Sequence, residues 1–250
     1  MKFAIISDIH SNVFALEAVL NDILSHGADH IVNLGDTLYG PLAPRATYEL
    51  LTAYNVTSIC GNQDRLLYEA TPEEIAKNPT LQFVLNDLGE APVEWLDTLG
   101  FDCQIAREIY ACHGSPTNDL TYLLEDISNG KNQVRSDDEI LRMLDGEDSE
   151  VILCGHTHVP RVVELSSGQL IVNAGSVGLP AYTDNHPVVH SMQTYSSHAS
   201  YTMLQQLSEG WKVQQMNIPY AVEDAVAAAI RQERFDWARY LATGRGDNAV

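Results

Sequence analysis

With 250 residues, 45% of them hydrophobic, the chain can bury a full core, which excludes an intrinsically disordered protein. Its 14 Lys and Arg stand against 34 Asp and Glu, and the formal charge of −20 opposes the cationic contacts that phosphate backbones and anionic membranes require. Long nucleic acids and membrane surfaces are thereby disfavoured as partners, and a small ligand held at a locally cationic site is the remaining expectation. Cys60, Cys103, Cys112 and Cys154 contain no C-x-x-C pair, and three of them lie in or at the end of apolar runs, which predicts buried reduced thiols. The N-terminal apolar run is too short for a signal peptide and no other run approaches membrane-spanning length, so the expected location is the cytoplasm.

In chain order, a strand is predicted at about residues 2–7, followed by a helix over VFALEAVLNDILSHG that closes at Gly27. A second strand near 29–34 leads through the loop GDTLYGPLAP to a helix at about 44–54. This strand-helix alternation predicts a parallel sheet with helices on its faces. After a third strand, VTSICG, residues 65–99 show no strand pattern and are punctuated by Pro72, Pro79 and Pro92, as expected of a helical insert. FDCQIAREIYACHG reads as two short strands, SDDEILRMLDGED as a helix begun by Ser136, and EVILCG as another strand.

From Arg161 the segments RVVEL, QLIVNAGS, PVVHSMQTYS, ASYTMLQQL and WKVQQMNI alternate as short strands, predicting a second, mostly antiparallel sheet packed on the first. YAVEDAVAAAIRQERFDWARYLA is then one amphipathic helix, expected to pack on a sheet, with a contact between copies of a homo-oligomer as its alternative use. The expected organisation is one domain over 1–243 and a frayed tail over 244–250. The GRGD near the end is a chance match in that tail.

Five apolar runs deliver a polar donor where they stop: KFAIIS before Asp8 and His10, HIVNLG before Asp36, VTSICG before Asn62, EIYAC before His113, and VILCG before His156 and His158. Loops that leave strand ends in α/β sheets are where ligands converge. Asp8 and His10 are two apart, so on extended backbone they fall on one side, and His156 and His158 repeat the spacing. Carboxylate and imidazole suit Mn, Fe, Co, Ni or Zn, and Asn62 offers a neutral carbonyl oxygen. Seven donors suit two ions if one carboxylate bridges, as in hydrolases whose ions lie roughly 3.5–4 Å apart and activate a water together. Such a pair with Asp8, Asp36 and a hydroxide stays net cationic and attracts phosphate.

The ordered set D-x-H, G-D, G-N-x-D, H-G and G-H-T-H resembles the calcineurin-like metallophosphoesterases over residues 1 to about 180, and GHTHVP with NAGSVGLP is most similar to the small bacterial and archaeal phosphodiesterase branch. The resemblance implies a four-layer α/β/β/α sandwich of two mixed sheets flanked by helices. It implies one metal on Asp8, His10 and His158, a second on Asn62, His113 and His156, and a bridge at Asp36, with manganese the first choice of ion. Asp36, Asn62 and His113 would be the catalytic residues. One departure matters: where the family often has a histidine that helps the leaving group depart, this chain has Gln63, whose amide can donate a hydrogen bond but no proton. The implied activity is hydrolysis of phosphodiester or phosphoanhydride bonds with good leaving groups, for example in a dinucleoside polyphosphate, by a metal-activated hydroxide. The alternatives are a phosphomonoesterase acting on phosphoprotein or nucleotide, and a non-catalytic scaffold.

Around this set, Asp64 is either a carboxylate that orients a ligand or a helix N-terminal acid. Tyr39 and Ser176 are candidates to meet substrate or to support a ligand. Arg45, Arg65 and Arg161 read as ion-pair partners. His26, His30, His186, His190 and His198 read as ordinary core or surface residues, with a substrate contact the alternative for His186 and His190.

Overall fold

The computed structural model describes residues 1–246. Strand β1 (Lys2–Ile6) leads into helix α1 (Val13–His26), and β2 (His30–Asn33), α2 (Pro44–Thr52) and β3 (Val56–Ser58) continue the alternation. Helical crossovers of this kind return the chain in the same direction, so β1 pairs parallel with β2 and β2 with β3. Helix α1 begins where the Asn12 side chain accepts the Ala15 N–H and ends at Gly27 in the left-handed conformation.

Next come α3 (Asn62–Glu69), α4 (Pro72–Lys77), α5 (Pro79–Leu88) and α6 (Glu90–Asp97). Pro72 and Pro79 take first helical positions, where a missing N–H removes no intrahelical bond. The four helices bury Leu67, Leu81, Val84, Leu88 and Leu96 together with Leu38, so their core rests directly on the loop that carries Asp36.

The chain continues through the hairpin β4 (Asp102–Ala106) and β5 (Ile109–Cys112), the small ribbon β6 (Glu125–Asp126) and β7 (Gln133–Val134), helix α7 (Asp137–Met143) and β8 (Val151–Cys154). Ser136 and Glu139 cap α7 reciprocally. Six strands follow: β9 (Arg161–Glu164), β10 (Leu170–Asn173), β11 (Ala181–Asp184), β12 (His190–Gln193), β13 (Ala199–Leu207) and β14 (Gly210–Ile218).

These six do not build a sheet of their own, contrary to the meander expected from their alternation. β13 and β14 extend the first sheet, in the order β14-β13-β1-β2-β3, while β10 and β9 complete the second, β4-β5-β8-β10-β9. Among the described residues only β11 and β12 form a separate pair from this stretch. The alternation reports that a segment is a strand and which face is apolar; it carries no record of the partner. β10 runs parallel to β8 with Ile171, Val172 and Asn173 buried, the mark of a strand covered on both faces.

The period of two explains the layers. Phe3 and Ile5 of β1, with Val32, face Ile109, Ala111, Val151, Leu153 and Val172 of the other sheet, forming the central core. Ala4 and Ile6 point the opposite way onto Leu16, Val19, Leu20 and Ile23 of α1. On the far side Tyr110, Cys112, Ile152 and Ile171 pack on Ile140 and Leu144 of the α7 segment. The result is helix, sheet, sheet, helix.

The closing amphipathic segment is two helices, α8 (Val222–Arg231) and α9 (Phe235–Thr243), separated at Glu233, whose φ is 56°. They pack against each other and on Leu42, Leu179 and Ala181, not on a face of either five-stranded sheet. Residues 244–246, expected to fray, are instead held: Gly244 O accepts the Tyr195 N–H at 2.8 Å, Arg245 lies over the Tyr195 ring, and the Gly246 N–H reaches Gln193 Oε1 at 3.1 Å. The remainder of that expected tail, 247–250, lies outside the described residues. All four cysteines are free, three of them buried and Cys103 half-buried. Among the described residues no helix is long and apolar enough to cross a membrane.

Candidate metal centre

All seven donors sit just past strand ends: Asp8 and His10 after β1, Asp36 after β2, Asn62 at the start of α3, His113 after β5, His156 and His158 after β8. The sheets place them together, but not by the extended backbone expected. Asp8, His10, Asp36, His156 and His158 have φ of 53°, 50°, 53°, 67° and 60°, so these ligand-bearing loops use left-handed residues that are not glycine. Each such residue costs on the order of 1 kcal/mol or more and persists only where its surroundings fix it.

Those surroundings are explicit. The loop after β1 is tied to the loop after β2 by Asp8 N–H to Gly35 O at 3.0 Å, His10 N–H to Asp36 O at 2.9 Å and Ser11 N–H to Thr37 O at 2.9 Å. The Ser176 hydroxyl donates to Asp8 O at 2.7 Å and accepts the Leu179 N–H at 2.8 Å; it is buried and holds the loop, so it positions Asp8 and does not reach substrate. Gly178 comes so close to Ile9 that a Cβ would overlap the Ile9 carbonyl, and at Gly61 a Cβ would overlap Asp36.

The donors form two groups, Asp8 with His10 and His158, and Asp36 with His113 and His156, the ligand atoms of each group lying within 4.8 Å of one another. In the first, His10 Nδ1 faces Tyr39 O at 3.1 Å and His158 Nδ1 faces Leu179 O at 2.6 Å. A carbonyl only accepts, so each Nδ1 carries a proton and each ring turns its Nε2 inward. Those Nε2 atoms are 3.0 Å apart. Asp8 Oδ1, 3.4 Å from His158 Nε2, is buried without a hydrogen-bond partner. Two inward-facing imidazole nitrogens beside an orphaned carboxylate oxygen form a donor set suited to a cation.

In the second group His113 Nδ1 donates to Leu34 O at 2.8 Å, and its Nε2 lies 3.1 Å from Asn62 Oδ1 and 3.5 Å from Asp36 Oδ2. Asp36 Oδ2 is also 4.0 Å from His10 Nε2, so this carboxylate stands between the groups. Burial, then His158, pushes His10 down to about 4; burial, then His113, does the same to His156, and both are neutral imidazoles ready to ligate. Burial opposes charge on His113 too, but Asp36 and Asp8 outweigh it and lift the ring to about 10. Asp8 and Asp36 stay below the usual carboxylate range despite burial, held there chiefly by His158 and His113 respectively.

Asp64 combines the two roles open to it. Its Oδ1 accepts the Thr37 and Leu38 N–H groups at 2.8 and 3.1 Å, fixing the Asp36 loop, and its Oδ2 accepts from Gly61 N at 3.4 Å, at the start of α3. Burial and the nearby Asp36 raise its pKa to about 7. Gln63 donates its backbone N–H to Asp36 Oδ1 at 2.8 Å, while its side-chain Oε1 is buried without a partner. Tyr39 supports His10 through its carbonyl, and its hydroxyl accepts from Asn78 Nδ2 at 3.1 Å. Arg45, Arg65 and Arg161 pair with Glu49, Asp119 and Glu125. His26 contacts Asp22 and His30 stacks on Phe3. His190 is buried against the Tyr122 hydroxyl at 3.0 Å.

The groups open into a cleft of about 720 Å³ whose lining includes Tyr39, Gln63, Leu120, Tyr122, Arg135 and Trp237. Aromatic rings brace the imidazoles: Tyr122 lies 4.8 Å from His156, Tyr182 4.6 Å from His158, and the Trp237 ring meets His10 edge-on at 5.7 Å. Tyr122, Arg135 and Trp237 are not among the residues singled out from sequence. In the sequence Trp237 is one apolar position of an amphipathic helix, and no local pattern distinguishes it from core.

The profile of the Calcineurin-like phosphoesterase superfamily domain matches residues 1–195. An uncharacterized protein of Methanocaldococcus jannaschii is 26% identical over 249 residues, covering 94% of each chain. A metallophosphoesterase from Sphaerobacter thermophilus is 25% identical with a TM-score of 0.74, covering 98% of this chain and 100% of its own. A hypothetical protein from Pyrococcus horikoshii has the same fold at 19% identity, TM-score 0.75, covering 98% of this chain and 99% of its own.

Proposed function

Because the chain belongs to the calcineurin-like phosphoesterase superfamily and is a metal-dependent phosphoesterase, we propose that it is a two-metal hydrolase of phosphodiester or phosphoanhydride bonds in a small substrate with a good leaving group. The reading rests on one observation above all: two groups of buried donors meet at Asp36, with two imidazole Nε2 atoms 3.0 Å apart in the first. Asp8, His10 and His158 would hold one divalent ion, Asn62, His113 and His156 the other, and Asp36 would serve both, with manganese the first choice. Ions held there supply Lewis acidity and lower the pKa of a water.

The protein's own contribution is positioning. Backbone carbonyls of Tyr39, Leu179 and Leu34 fix each ring so that Nε2 faces inward. Gln63 lines the cleft beside Asn62 and can only offer hydrogen bonds, so bonds whose leaving group departs without a proton are favoured. A dinucleoside polyphosphate meets that condition; glycerol phosphate does not. A scaffold role is disfavoured because it would release all seven donors from constraint, yet every one is present. The reduced cysteines accord with a cytoplasmic setting.

The test is metal analysis of the purified protein with rate measurements, in manganese, on a nitrophenyl diester, a dinucleoside polyphosphate and glycerol phosphate, alongside Asp36→Asn. Two ions per chain, turnover of the first two substrates and loss of activity in Asp36→Asn are expected. Faster release from glycerol phosphate, or a protein that binds no metal and hydrolyses none of the three, refutes the reading.

A further inference from the structure

We propose that Arg135 receives a non-reacting phosphate group, so that the substrate is a phosphoanhydride chain and not a simple diester; this rests on the function proposed above and deepens it. Two arginines line the cleft, Arg135 and Arg234. Arg234 is committed: Nε and Nη2 donate to the two Asp236 oxygens at 2.9 and 2.6 Å, Nη1 donates to Thr80 Oγ1 at 2.6 Å, and its Cζ lies 5.3 Å from the centroid of the Trp237 ring. Arg135 is placed differently. Its Nε donates to Tyr122 O at 3.1 Å, and no described carboxylate oxygen lies within the 4.0 Å of an ion pair.

The acids around Arg135 have partners of their own. Glu125 pairs with Arg161 through Oε1 while its Oε2 is buried without a hydrogen-bond partner, Asp126 accepts from Ser128, and Glu139 accepts from Ser136; all three feel the Arg135 charge without bonding to it. Asp184, on the cleft wall, accepts the His186 N–H at 3.0 Å. In a chain of net charge −20, a cleft-lining guanidinium that makes no ion pair is suited to receive an anionic ligand.

The anchor sets the position. Arg135 is bonded to the backbone of Tyr122, whose ring packs 4.8 Å from His156, so the guanidinium is fixed by Nε beside the metal groups, leaving both Nη groups as donors. A planar pair of N–H donors matches two oxygens of a phosphate. The phosphorus that reacts sits at the metal groups, so the phosphate taken by Arg135 is a further one along the same chain. A bis(nitrophenyl) phosphate has no such group.

The experiment compares the manganese-loaded full chain with Arg135→Gln and Arg135→Lys. Steady-state rates on diadenosine tetraphosphate and bis(4-nitrophenyl) phosphate are joined by calorimetric binding of pyrophosphate and orthophosphate. Losing a charged bidentate contact predicts that Arg135→Gln lowers the ratio of kcat/KM, tetraphosphate over diester, by about tenfold or more, mainly through KM. Pyrophosphate affinity falls by a similar factor relative to orthophosphate, and Arg135→Lys recovers part of both. An unchanged ratio together with unchanged pyrophosphate affinity overturns the proposal. A wild-type protein that hydrolyses neither substrate defeats the functional reading instead, and the pyrophosphate measurement then still decides for or against Arg135.

Discussion

Removing divalent ions should cost this protein stability by an amount set by how its donors are distributed. The first group joins the loop after β1 in one sheet to the loop after β8 in the other, and the second joins β2 and α3 to β5 and β8. An unfolded chain cannot gather donors this far apart in sequence, so binding free energy becomes folding free energy. At a free ion concentration 100 times the dissociation constant, one site contributes about 2.7 kcal/mol. Unfolding entropy near 2.1 cal/mol/K per residue gives about 0.5 kcal/mol/K for the 250 residues, so each filled site raises Tm by about 5 °C and two by about 10 °C. The assay is thermal unfolding after chelation, then during manganese addition, for wild type and His158→Ala. The variant loses a donor from the first group only, so about half the metal-dependent shift should survive. A Tm indifferent to manganese, or a full shift retained in His158→Ala, would refute the argument.

Installing an acid at the departed position, Gln63→His, should raise turnover of glycerol phosphate by about 100-fold or more while changing nitrophenyl diester rates little, measured by steady-state kinetics. Asp64→Ala strands the Thr37 and Leu38 N–H groups that its Oδ1 accepts, so denaturant unfolding should show a loss of about 3 kcal/mol; Asp64→Asn, which keeps an acceptor oxygen, should lose much less. Metal binding at the second group should release protons and strengthen with rising pH up to about 10, because His113 carries a proton there until that pH and must give it up to ligate. His10, already neutral above about 4, adds no release in the first group. Calorimetry in buffers of differing ionisation heat checks this, and a binding heat independent of buffer would contradict it.

What could be read without the structure was the donor set and the strands that carry it. Each of the seven residues follows a short apolar run that ends abruptly, a pattern written in adjacent positions. Likewise Gly27 closes α1 and Ser136 opens α7, because caps act within a few residues. The pairing of β13 with β1 was beyond reach for the opposite reason: Ile5 meets Thr202 across nearly 200 positions, and a period of two is the same whichever strand lies alongside.

The left-handed turns at Asp8 and His10 were likewise hidden, since nothing local favours them; bonds to Gly35 and Asp36 on a neighbouring loop impose them. The sequence by itself therefore determined which atoms could bind metal and in what order the strands deliver them. Only the tertiary structure decided that Ser176 holds the Asp8 loop, that Asp64 holds the Asp36 loop, and that Arg135 and Trp237 line the cleft. Donor chemistry and strand period are properties of a residue and its near neighbours. Hydrogen-bond direction and cleft shape belong to pairs of segments that meet only once the sheets have packed.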